Sequence, residues 1–164
     1  MYLFMISIYL LTGLSFLALF LVGLQGYFGV ALLGLNHATF ALLTAILYLF
    51  TEVLVMFFFV GTGVSIKEYV QEKGVHSRFH QRSVAVKKKL YPPTLLNVLL
   101  VMAVFIMGGA VDTGSLPPWP HGILTLIALA HFAITIRKQH GCFKENTAIV
   151  LEMTGTVRPG LPEN

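Results

Sequence analysis

The stretch ATFALLTAILYLFTEVLVMFFFV occupies residues 38–60, and Glu52 is its one charged side chain. A helix needs about 20 consecutive apolar residues to cross ~30 Å of hydrocarbon, and this run is long enough by itself. Three further apolar runs accompany it, at Leu3–Leu24, Leu95–Val111 and Gly122–Ile136. The last two are short for a full crossing, but their flanking residues can lengthen them. The sequence therefore predicts four transmembrane helices, with the second at 38–60.

The composition of the whole chain is typical of a membrane protein. Of 164 residues, 56% are hydrophobic and 11% are charged, and the mean hydropathy is +0.80. A soluble globular domain usually has about 25% charged residues, so a water-soluble core is excluded. We expect a single all-α domain, a four-helix transmembrane bundle over residues 1–153, followed by an irregular tail at 154–164 that contains two prolines and two glycines.

All eleven Lys and Arg residues lie on one side of the predicted membrane. Seven are in a basic loop at 65–93 between the second and third runs, and four follow the fourth run. Because basic loops stay in the cytoplasm, this distribution predicts that both termini are cytoplasmic. We therefore expect a multi-pass protein of a bacterial-type inner membrane, with the lipid bilayer as one of its partners.

The ends of the predicted helices carry recognisable signals. The segment Ser65–Gly74 continues the second helix with mixed charges, and Gly74 is a suitable C-cap. Basic side chains before the third helix and an aromatic side chain before the fourth predict anchoring at lipid headgroups; these residues are Lys87, Lys88, Lys89 and Trp119.

Polar residues recur at steps of three and four in two of the helices, so each set forms one stripe. The second helix carries His37, Ala41, Thr44, Tyr48, Thr51 and Glu52, and the fourth carries His121, Thr125, Ala128, His131 and Thr135. Polar side chains in a bilayer turn toward the bundle interior. Counting 1.5 Å per residue from the outer ends, we predict an intramembrane polar cluster of Tyr48, Glu52, Asn97 and His131.

Glu52 has two interpretations. A carboxyl near mid-membrane is a functional candidate by default, which favours a proton-carrying or quinone-binding role. In the alternative, the carboxyl bonds a polar neighbour and holds the helices together. The residue types alone leave both open.

His37 and His121 begin the second and fourth helices, which lie diagonally in an up-down bundle. Two neutral imidazoles facing each other can ligate one haem b iron from both sides. In outline this is similar to four-helix membrane cytochromes of b type, which usually hold their ligands deeper and place arginines near the propionates. Here both histidines lie at the interface and the outer side has no Lys or Arg. In the alternative, both are interfacial residues without a ligand.

The sequence contains no nucleotide-binding, hydrolase or zinc-protease motif, and it offers no catalytic residues, no metal cluster and no nucleic-acid-binding fold. We expect a non-catalytic subunit that packs with other membrane subunits in a larger, energy-transducing (respiratory or photosynthetic) complex. The alternative is an electron- or proton-transfer subunit with a b-type haem or a quinone site. A small transporter is a weaker alternative, since two polar stripes line an aqueous path poorly.

Overall fold

A computed structural model describes residues 2–30 and 34–155, all but a few of which lie in helices. The four helices are α1 (Tyr2–Phe28), α2 (His37–Lys73), α3 (Arg78–Asp112) and α4 (Pro118–Met153). Each is long and apolar enough to cross a membrane, which confirms the prediction of an all-α protein with four candidate spans. The predicted irregular tail lies outside the described residues from position 156 onward.

Local sequence signals explain where α2 begins and ends. The Asn36 side chain accepts a hydrogen bond of 2.8 Å from the Thr39 backbone N–H, which satisfies one donor of the first turn. At the other end Gly74 has φ 63°, a left-handed conformation that glycine adopts without strain. The C-cap predicted at Gly74 is therefore present.

The segment 65–93, expected to be a basic loop, is helical except for residues 74–77. Its first half belongs to α2 and its second half to α3, which continues through Pro92 and Pro93. Proline pairs usually interrupt a helix because they remove backbone donors. Contacts with α4 on both sides of the pair, from Arg82 to Glu152 and from Asn97 to His131, hold α3 in one piece.

Neighbouring helices run antiparallel in chain order, and α4 packs back against α1. Hydrogen bonds of 2.8–2.9 Å join Ser15 to Thr51, Tyr48 to Asn97, and Asn97 to His131, so α1 pairs with α2, α2 with α3, and α3 with α4. In this up-down arrangement, α2 and α4 lie across the bundle from each other. Their inward side chains, including the two polar stripes, meet in its centre.

The bundle is longer than a bilayer is thick. α2 has 37 residues, which corresponds to about 55 Å at 1.5 Å per residue, against ~30 Å of hydrocarbon. The excess lies at the basic end, where Lys89 pairs with Glu145 at 3.1 Å, Lys88 is exposed and the Lys87 ammonium lies beside Gly63. Trp119 is 67% exposed at the opposite end.

Candidate functional site

A cavity of about 1090 Å³ lies between all four helices at the end opposite the basic residues. Small-molecule and cofactor sites usually have volumes of about 300–1,000 Å³ and mainly apolar walls with a few polar groups. This cavity has the same character, because Gly, Ala, Val and Leu make up much of its lining. Two of its polar groups are the side chains of His37 and His121.

His37 and His121, in the first turns of α2 and α4, lie next to each other in the lining of the cavity. Their ring centres are 6.3 Å apart and their planes differ by 81°. The structure therefore brings together the two histidines that the sequence selected as a ligand pair. They come from diagonal helices.

The His121 ring is held by a backbone contact. Its Nδ1 lies 3.1 Å from the Val104 carbonyl oxygen of α3, so this nitrogen carries the proton and donates to that oxygen. Nε2 then keeps a free lone pair. A metal-binding histidine usually has this arrangement, in which the second nitrogen donates to a carbonyl and fixes the tautomer.

His37 has no such support among the described residues. Its Nδ1 is buried and has no hydrogen-bond partner there. A buried polar atom without a partner is uncommon and costs free energy. Among the described residues, the ring orientation of His37 is therefore set by packing, including the contact with Gly26.

Two glycines make room for the rings. A Cβ atom added to Gly26 of α1 would lie 3.1 Å from Cε1 of His37, and one added to Gly108 of α3 would lie 3.2 Å from Cε1 of His121. Both distances are shorter than normal van der Waals contacts. Each histidine thus lies against a bare stretch of helix backbone.

The spacing of the rings fits a shared metal. Each metal–imidazole bond is about 2.0–2.1 Å, and the nitrogen lies about 1 Å from its ring centre, so two rings on opposite sides of one metal have centres about 6 Å apart. The observed 6.3 Å agrees with that value and also lies within the range of about 4.5–7 Å that is typical of an edge-to-face ring pair. Within the described part of the chain, no group of three or more His, Cys, Asp or Glu side chains could hold a metal ion. A haem supplies four nitrogens of its own and needs only these two.

The rim of the cavity has few charges. Tyr27, Asp112 and Trp119 line it, and none of the described lining residues is Lys or Arg. The described lining therefore offers no Lys or Arg side chain that could bind a haem propionate. Asp112, an acidic residue, lines the same cavity as the two histidines.

A second polar site lies deeper in the bundle. Asn97 donates to the Tyr48 hydroxyl at 2.8 Å, and its Oδ1 lies 2.9 Å from Nδ1 of His131. The Thr135 hydroxyl is a longer contact of the same nitrogen, at 3.4 Å. Tyr48 and Asn97 are completely buried. Three of the four residues in the predicted cluster therefore form one hydrogen-bonded chain.

Glu52, the fourth, lies one turn further along α2 and has different partners. The Gln139 amide of α4 donates to its Oε2 at 2.7 Å, and also to the Thr94 hydroxyl of α3 at 3.3 Å. Glu52 and Thr94 are completely buried and Gln139 nearly so. Sequence reasoning missed Gln139 because this residue follows the apolar run that ends at Ile136, in a flank that was considered only as an extension of the fourth span.

Searches of protein-family models, curated proteins and solved structures found no match to this chain.

Proposed function

We propose that this chain is an electron-transfer subunit of b type that binds one haem between His37 and His121. The observation that carries the proposal is the pair of imidazoles with ring centres 6.3 Å apart in the lining of a cavity to which all four helices contribute. The glycine against each ring and the cavity that both rings line support this proposal over the alternative of two unrelated interfacial histidines.

The residues of the chain would bind and orient the cofactor. His121 presents Nε2 because Nδ1 donates to the Val104 carbonyl, and the same hydrogen bond makes the imidazole a more basic ligand. The apolar walls would limit the contact of a bound haem with water. When bound by two histidines, a haem b takes up and gives back single electrons and has no free position for oxygen.

The location of the pair suggests at which membrane surface electrons would be exchanged. By the positive-inside rule the cavity lies at the outer membrane surface, so this subunit would exchange electrons near that surface. A protein with one electron-carrying site and no soluble domain needs a donor and an acceptor. We therefore propose that it works in a larger inner-membrane assembly.

The test is a reduced-minus-oxidised visible spectrum with a pyridine haemochrome assay on protein purified in mild detergent. We expect about one haem per chain and a Soret band that is lost in His37→Ala and in His121→Ala. His76→Ala is the matched control, because His76 is exposed at the other end of the bundle. Absence of haem from well-folded protein expressed with haem available, or retention of the band in both variants, would overturn the proposal.

A second candidate is the non-catalytic packing subunit expected from composition. The observation that favours it is the length of α2, α3 and α4, which have 37, 35 and 36 residues and extend beyond the hydrocarbon as a helical surface. Comigration of other subunits on a native gel, together with absence of haem, would support this function instead. Substitution of both histidines would then leave the assembly intact.

A further inference from the structure

The Glu52 carboxyl is fully enclosed, with no exposed surface, and it is distinct from the histidine cavity. Its Oε2 accepts one hydrogen bond, from the Gln139 amide at 2.7 Å. Its Oε1 is buried and has no partner among the described residues. One of the two carboxyl oxygens is therefore bonded and the other is free.

The groups around Glu52 are polar but carry no positive charge. α1 contributes the Ser15 hydroxyl, which bonds the Thr51 hydroxyl beside Glu52. Tyr48 lies one turn before Glu52 on α2, and Asn97 of α3 connects it to His131 of α4. Gln139 of α4 bonds Glu52 and also donates to Thr94 of α3. Both ion pairs of the described chain, Arg82–Glu152 and Lys89–Glu145, are elsewhere.

An ionised carboxylate in this position would lack compensation. A buried charge is stable when it is paired or accepts several hydrogen bonds. One hydrogen bond from a neutral amide does not compensate the charge of a buried carboxylate. The carboxyl is therefore the neutral acid, and because Gln139 donates to Oε2, the proton belongs on Oε1.

We infer that Glu52 is an intramembrane proton-binding site: its carboxyl holds a proton at neutral pH, on an oxygen that no group of the described residues restrains. The ligand of the site is H⁺. Release transfers that proton from Oε1 to a water molecule, which becomes hydronium, and leaves a carboxylate that keeps the Gln139 hydrogen bond. Rebinding reverses the transfer. Proton binding gives a role to a buried acid that does not line the histidine cavity.

Infrared spectroscopy of the full chain in liposomes at neutral pH tests this inference. A protonated carboxyl has a C=O stretching band that is separate from the carboxylate bands and shifts in D₂O. We expect this band in the wild type, its loss in Glu52→Gln and its retention in Glu68→Gln, since Glu68 is exposed near the end of α2. The band should be present with or without haem, so the result is independent of the histidine pair.

Glu52→Asp provides the second variant. It keeps an acid at the site, and we expect the protonated band to persist at a shifted frequency. No band in the wild type at neutral pH, or an unchanged band in Glu52→Gln, would overturn the inference. Circular dichroism of each variant checks that the helical content is retained, so that loss of the band is assigned to the carboxyl and not to unfolding.

Discussion

Gly26 of α1 lies so close to His37 of α2 that a Cβ atom on Gly26 would be 3.1 Å from Cε1 of the imidazole. The two residues are separated by the connection between α1 and α2, which places them at the same end of the bundle. The observed position of the His37 ring therefore requires that residue 26 has no side chain. A larger residue would push the imidazole toward the cavity.

The first prediction concerns this contact. In Gly26→Ala the new methyl group displaces the His37 ring by a few tenths of an ångström, so we expect weaker haem binding and an altered Soret band. Gly13→Ala is the control on the same helix, because a Cβ atom at Gly13 meets nothing within 4 Å. Equal haem content and identical spectra in the two variants would contradict a role for Gly26 in positioning His37.

A second prediction uses two adjacent glycines in α3. A Cβ atom on Gly108 would lie 3.2 Å from Cε1 of His121, whereas one on Gly109 would meet nothing within 4 Å. We expect Gly108→Ala to lower haem occupancy and Gly109→Ala to leave it unchanged. Haem per chain, measured by pyridine haemochrome on both purified variants, is the readout. A loss of the same size in both would point to a general effect of α3 rather than to the ring contact.

Hydropathy predicted the number of helices because each apolar run is long enough to cross a bilayer, either alone or with its flanking residues. The helical structure of the segment 65–93 was harder to predict, since Lys87–Lys89 and the Pro92–Pro93 pair are local signals for a loop. These signals no longer indicate a loop when α4 extends equally far, because Arg82 can then pair with Glu152 and Lys89 with Glu145. Such contacts between distant segments of the chain are not visible in local sequence patterns.

The polar stripes were predictable because helical periodicity places residues three and four apart on one face. Counting rise per residue from the outer ends also placed His131 near Tyr48, and Asn97 connects them in the structure. The partner of Glu52 was not predictable in the same way, because Gln139 follows Arg137 and Lys138 in a segment that reads as the end of the span. The cavity depends on the spacing of four helices, which no single stretch of sequence contains.

The hydrogen bond between Tyr48 and Asn97 allows a third prediction about stability. A double-mutant cycle of Tyr48→Phe and Asn97→Ala isolates their interaction, and we expect a coupling free energy of about 0.6 kcal/mol, with a ceiling of about 1.7 kcal/mol, as in other membrane proteins. Reversible unfolding in mixed micelles measures it. Additive effects of the two substitutions would show that the bond contributes nothing to stability.

The fourth prediction concerns the amide beside Glu52. Gln139→Leu removes the one donor to the buried carboxyl and should lower the free energy of unfolding by about 1–3 kcal/mol, the usual cost of leaving a buried polar group without a partner. Gln81→Leu is the control, because Gln81 is exposed.

The double variant Glu52→Leu/Gln139→Leu removes both polar groups, and we expect its loss of stability to be smaller than the sum of the two single losses. A double variant that is fully additive in the same unfolding assay would show that Gln139 does not stabilise Glu52.

The orientation of the bundle gives the fifth prediction. Residues 74–77 and the turn after α3 lie at opposite ends, and the positive-inside rule places the former in the cytoplasm. The native Cys142 is 4% exposed and its thiol lies 3.8 Å from the Val86 carbonyl oxygen, so Cys142→Ala provides a background without a reactive thiol. In that background, Ser77→Cys and Ser115→Cys place one accessible thiol at each end.

A membrane-impermeant maleimide added to intact spheroplasts should label the Ser115→Cys protein and spare the Ser77→Cys protein. Inverted vesicles should give the opposite pattern, because their cytoplasmic face is outside. The reverse pattern in both preparations would place the basic end outside. The histidine cavity would then lie on the cytoplasmic side, and the electron partners of this subunit would have to be sought there.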